Sequence, residues 1–299
     1  MNFDIGEILA RASQITWRHK VLWVFNMFPI LFGFLFLPTV FIPMFFLGPY
    51  SLFRQGSISP TYYLSLLGSI DLLVILLSIL LYVVGAAASS LGMLRVENGR
   101  PQLPFRDLLQ DGLEYFWRIL SVTVLVGGAA SLVLLPVFSC MTLFGIATRG
   151  LGLTCLVPLL FFLYPAMLMA YALAELSQAA VIADNRGVRS ALSRSWALMR
   201  IHFWPFVRFS LVLYLGVFLL SLIFLLPLGI PFLFLFLRMQ GPLTGFNAQG
   251  FGESVIVLSL VLLPILALVQ GVAATFIRSA FMDIYLRLTR STVLQTALQ

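Results

Sequence analysis

LSLLGSIDLLVILLSILLYVVGAAASSLGML, residues Leu64–Leu94, decides the fold. It carries a single charged side chain, Asp71, in a run longer than the ~20 apolar residues that a membrane-spanning helix needs. Five further apolar blocks of similar length flank it: Val21–Leu47, Ile119–Phe144, Leu151–Ala183, Phe203–Leu237 and Ser254–Ile277. The 299 residues are 61% hydrophobic and 10% charged, whereas a soluble domain carries about 25% charged residues. A soluble core of this size has no room for so much apolar surface. The 28 phenylalanines suit both lipid-facing and helix-packing positions. The expected fold is an all-α integral membrane protein, six transmembrane helices in a single domain over residues 1–299.

The first block follows a charged, amphipathic stretch and exceeds the roughly 7–15 residues of a signal core, so it is expected to be a retained anchor. Orientation follows from the basic residues. Fifteen of the 18 Lys and Arg fall in the N-terminal segment, the second-to-third and fourth-to-fifth connections and the C-terminal end; Arg54, Arg149 and Arg238 fall opposite. This positive-inside asymmetry places both termini in the cytoplasm, requires an even number of spans and suits the cytoplasmic membrane. Trp17, Trp23, Trp117, Trp196 and Trp204 mark the same boundary, where an indole keeps its ring in apolar surroundings and its N–H near water. The net charge of +7 therefore points to anionic headgroups. No basic stripe with interleaved aromatics argues for nucleic acid. Prolines recur within the blocks, among them Pro29, Pro136, Pro165, Pro205 and Pro264. They read as ordinary kinks, or as breaks lining a cavity.

A threefold repeat organises the chain: units of about 1–96, 97–184 and 185–290, then a short cytoplasmic tail over 291–299. Each unit is a short amphipathic helix followed by two spanning helices. The amphipathic segments are Ile5–His19, Phe105–Arg118 and Val188–His202. In the first, Ile5, Ile8, Leu9, Ala12 and Ile15 share one face, and Asp4, Glu7, Arg11, Gln14 and Arg18 the other. Aligned without gaps, Leu9, Leu109 and Leu192 share a column, as do the small Ala12, Gly112 and Ser195, and Trp17 and Trp117 with Arg200. Glu97-Asn98 and Asp184-Asn185 precede the second and third copies, where Asn suits the turn and the acid suits the next helix's dipole. Such helices are expected in the headgroup plane, with Trp17, Arg18, Trp117, Arg118, Trp196 and Trp204 as interfacial anchors. Small residues spaced four apart in the even-numbered blocks, such as Ala88 and Ala170, predict that these helices pack centrally.

Ala180–Leu198, AVIADNRGVRSALSRSWAL, resembles a motif of a family of bacterial six-span membrane proteins related to the membrane domain of glycerophosphodiester phosphodiesterases. The matching residues are Asp184, Gly187, Ala191, Leu192, Arg194, Ser195 and Trp196. The resemblance implies a membrane domain and carries no catalysis over. The catalytic domain of those phosphodiesterases is a soluble barrel with His and acidic residues, which nothing here forms.

Candidate chemistry is sparse. His19 and His202 lack metal-ligand spacing, no phosphate loop or nucleophile motif occurs, and no cofactor is expected. Cys140 and Cys155 flank the loop holding Arg149; a disulfide or simple packing would both suit them. Intramembrane ionisable residues are the best pointers, because lipid makes them costly. Glu175, Gln178, Arg208 and Arg278 form the candidate polar cluster, with Glu175 and Arg208 pairing at similar depth and Arg278 nearby; Asp71 lies apart. The reading favoured is a non-catalytic scaffold or accessory protein linked to lipid organisation, with membrane lipids and an unidentified protein as partners. A transporter or channel-like role for lipid or small solutes, and a membrane enzyme using Glu97, Asp107, Asp111 and Glu114, are the alternatives.

Overall fold

A computed structural model describes residues 4–46, 60–100, 102–148, 156–239 and 248–297. Every regular element among them is helical: α1 (Ile5–Arg18), α2 (Val21–Phe46), α3 (Pro60–Glu97), α4 (Phe105–Glu114), α5 (Phe116–Ala147), α6 (Leu156–Ala183), α7 (Val188–Ile201), α8 (Phe203–Met239) and α9 (Ala248–Ala297). Three are short, and the six others cover the six apolar blocks except Leu47 and residues 151–155, which lie outside the described residues. Five stretches are long and apolar enough to cross a membrane: Gly68–Glu97, Phe116–Val137, Leu163–Ala183, Phe203–Leu226 and Leu263–Thr289. Val21–Gly33 is a shorter apolar helix by the same measure, and the helix continues to Phe46. The protein is a helical, multi-pass membrane protein. The segment expected as a tail continues α9 as far as Ala297. Arg54, Arg149 and Cys155 lie outside the described residues.

The chain divides into two compact units. The first comprises Met1–Leu22, Ala86–Gly216 and Thr275–Gln299. Its core sets small residues of α3 (Ala86, Ala87, Ala88), α6 (Ala172, Ala180) and α9 (Ala280) beside the larger Leu176, Ile284 and Tyr285, all fully buried. From α8, Phe209 meets Phe281 edge to face at 5.5 Å. Small side chains let helix backbones approach. A Cβ on Gly112 would stand 3.1 Å from the Ala88 backbone nitrogen, so α4 lies directly on α3. On α5 only one stripe, Ile119, Val122 and Val126, is buried, while Val124, Leu125, Leu132 and Leu135 are exposed.

The second unit comprises Trp23–Gly85 and Val217–Ala274. Its closest approaches again use glycine. A Cβ on Gly85 would fall 2.3 Å from the Phe25 carbonyl oxygen, and one on Gly271 would fall 3.1 Å from the Met27 backbone. Around these contacts Leu72, Leu73, Leu76, Leu219 and Ile223 are exposed. Contiguous exposed apolar side chains are costly in water and cost nothing in hydrocarbon.

Candidate functional site

Backbone N–H groups close the three short helices, those of His19 and His202 donating four residues back to Ile15 and Leu198 carbonyls and that of Tyr115 three back to Gly112; a long apolar helix begins one or two residues later. Helix α4 has 10 residues against 14 in α1 and α7. Phe116-Trp117 opens α5 and Phe203-Trp204 opens α8. Both Phe-Trp pairs meet edge to face, at 5.3 and 5.7 Å. The buried residues of the three helices are Ile8, Ala12, Ile15 and Thr16 in α1, Leu108 and Gly112 in α4, and Ala191, Ser195, Leu198 and Met199 in α7.

Two positions in the connections need left-handed backbone. Gly99 (φ 77°) follows Glu97-Asn98, and Asn185 (φ 50°) follows Asp184; Gly and Asn are the residues that adopt this conformation readily. The two preceding acids do not cap the next helix. Helices α4 and α7 are N-capped by Pro104 and Gly187 without a side-chain hydrogen bond. Glu97 instead accepts a two-pronged bond from Arg11 of α1, both contacts at 2.8 Å. Asp184 accepts from Arg186 Nε at 2.9 Å and Tyr285 Oη at 2.8 Å. Arg194 Nε approaches Asp184 at 3.5 Å, an ion pair without hydrogen-bond alignment. Arg118 donates to Asn185 Oδ1 at 2.5 Å, and Arg95 pairs with Asp111. In α9, Arg287 binds Asp283 at 3.0 Å and Glu7 at 2.9 Å. That contact holds the Glu7 carboxyl below its ordinary range, first by the hydrogen bond from Arg287 and then by its charge.

A deeper pair joins α3, α6 and α9. Arg278 Nε lies 3.7 Å from Glu175 Oε2, with side chains 3% and 13% exposed. Its Nη1 donates to Ser89 Oγ at 3.2 Å, and Ser89 donates in turn to the Ala86 carbonyl. Paired burial of this kind satisfies charges that lipid or protein interior would otherwise penalise heavily. Gln178 is buried and donates to Thr123 Oγ1 of α5 at 3.4 Å. The expected Glu175–Arg208 pair is replaced. Arg208 is exposed on α8 and faces no carboxylate within ion-pair distance among the described residues. Asp71 is half-buried in the part of α3 that belongs to the second unit.

No family model matches the chain, and no curated protein or solved structure matches it.

The chemistry of the arrangement is therefore read from its own geometry. Its most buried carboxylates, Glu97, Glu175 and Asp283, each face a guanidinium, which suits holding helices together. Among the described residues no three His, Cys, Asp or Glu side chains gather as metal ligands. Cys140 is exposed. By contrast, Trp17, Trp117, Trp196 and Trp204 are between 55% and 73% exposed. Of the motif residues, Asp184 and Arg194 form the turn cluster, Gly187 caps α7, Ser195 is buried and Trp196 faces outward. Sequence reasoning missed Tyr285 and the Arg11–Glu97 clasp. The only available signal was a Tyr about two turns beyond Arg278, and an acid ending a long apolar block.

Proposed function

We propose that the protein is a non-catalytic scaffold or accessory protein of the cytoplasmic membrane, tied to the organisation of anionic lipid. It has six spans, three repeats of amphipathic helix plus helix pair, and cytoplasmic termini. One observation carries this reading: the buried charges are spent on clasps between helices, while the indoles of all three repeat elbows turn outward. A girdle of exposed tryptophan and arginine suits headgroups, since the indole prefers that zone and the guanidinium binds phosphate. Three short helices, each followed within two residues by a long apolar helix, support the repeat. The fifteen-to-three distribution of basic residues supports the orientation. Relation to the six-span family rests on Asp184, Gly187, Arg194, Ser195 and Trp196, whose turn would serve that family as it serves this chain.

A second reading, carriage of a lipid or small solute, draws on an open apolar groove of about 360 Å³ in the second unit, lined by Pro29, Gly33, Ile75, Ser78 and Tyr82 among others. Native mass spectrometry of the protein in nanodiscs separates the two. The scaffold reading expects a stoichiometric protein partner or several retained anionic lipids, unaffected by filling the groove with Gly33→Leu. A single retained ligand lost in Gly33→Leu would transfer the weight to carriage.

A further inference from the structure

Arg208 is the one charged residue in the apolar stretch Phe203–Leu226 of α8. It is exposed, and it does not lie on a polar face. Counting along the helix, Trp204, Arg208, Leu211, Val212 and Leu215 fall on one stripe at spacings of three and four. All are exposed, Trp204 at 67% and the three aliphatic residues between 45% and 48%. An arginine on a lipid-facing stripe is costly unless its guanidinium reaches a phosphate or water. Arg208 stands five residues inside the helix start, about 8 Å along the axis, within reach of headgroup depth for a side chain that extends towards the interface. The third elbow differs from the second in this respect. At the same distance from its own start, α5 carries Ser121, whose hydroxyl donates to the Trp117 carbonyl at 2.8 Å. The nearby arginine of that elbow, Arg118, is already bound to Asn185.

We propose that Arg208 and Trp204 form a discrete site for the phosphate of one anionic phospholipid. The guanidinium forks onto the phosphate oxygens, the indole sits at the headgroup, and the acyl chains run along Leu211, Val212 and Leu215. Arg200, exposed in the last turn of α7, adds a second positive charge at the same elbow and favours anionic over zwitterionic lipid. The site rests on the girdle reading above and sharpens it to one elbow. Guanidinium–phosphate pairing is charge-assisted and geometrically specific, so lysine replaces it only in part.

The test uses the full chain in nanodiscs of mixed phosphatidylglycerol and phosphatidylcholine, with retained lipids counted by native mass spectrometry. Arg208→Gln should lose one tightly held phosphatidylglycerol, with about tenfold weaker retention of it. Arg208→Lys should fall between the two. Thermal unfolding in detergent should show Arg208→Gln as stable as the wild type, because the residue is exposed. Equal phosphatidylglycerol retention by wild type and Arg208→Gln, with both still preferring it to phosphatidylcholine, would overturn the site and leave the girdle reading standing. No anionic preference in any form of the protein would overturn both.

Discussion

Removing one partner of the Glu175–Arg278 pair should destabilise the protein far more than removing both. The separation is 3.7 Å and both side chains are largely buried. At an effective dielectric near 20 the attraction is worth about 4 kcal/mol, partly cancelled by the cost of burying each charge. Arg278→Met leaves the Glu175 carboxylate without its guanidinium, and Glu175→Gln leaves the guanidinium without its carboxylate. Each single variant should therefore lose about 3–5 kcal/mol. The double variant Glu175→Gln/Arg278→Met removes both charges and should recover most of that loss, to within about 1 kcal/mol of the wild type. The assay is denaturation in mixed detergent micelles, followed by circular dichroism, on all four proteins. Single variants as stable as the wild type would refute the buried-pair reasoning. A double variant as weak as the worse single one would refute the coupling.

Other expectations follow from local geometry. Gly85→Ala drives a Cβ to 2.3 Å from the Phe25 carbonyl and should cost about 1–3 kcal/mol. Gly127→Ala meets nothing within 4 Å and should be neutral or gain about 0.5–1 kcal/mol; thermal unfolding of the two variants compares them directly. Tyr285→Phe deletes the 2.8 Å bond to Asp184, at about 1 kcal/mol by the same measurement. Burial, then the charge of Arg18, hold the His19 imidazole below its ordinary 6.5. The folded state thus binds the His19 proton more weakly than the unfolded state. Stability is full above pH 6.5 and declines as pH falls from 6.5 towards the lowered folded value, a slope that His19→Asn should flatten.

The amphipathic helices were legible to within a few residues because their apolar spacing is periodic and their ends carry turn residues. The end of α4 at Glu114 was not, because the apolar spacing runs on through Phe116 past the cap at Tyr115. Position along each helix was legible, and it named Arg278 as a neighbour of Glu175, which it meets at 3.7 Å. Rotation about the helix axis was not, because α8 is apolar all round and offers no polar face to orient Arg208. The acids Glu97 and Asp184 were noticed for the right stretch and the wrong partner. Helix dipoles act within a few residues, whereas Arg11 and Tyr285 reach them across 86 and 101 positions of chain.

The central claim, six spans with all three amphipathic elbows in the cytoplasm, is tested most directly by cysteine labelling in sealed membrane vesicles of known orientation. Single cysteines replace Arg11, Arg106 and Arg189, or Ser57, Arg149 and Asn247, in a Cys140→Ser/Cys155→Ser background, and an impermeant maleimide reports the exposed side. The account predicts that Arg11→Cys, Arg106→Cys and Arg189→Cys label only from the cytoplasmic face, and the other three only from the opposite face. Labelling of any elbow from the opposite face, or of Ser57→Cys from the cytoplasmic face, would contradict it.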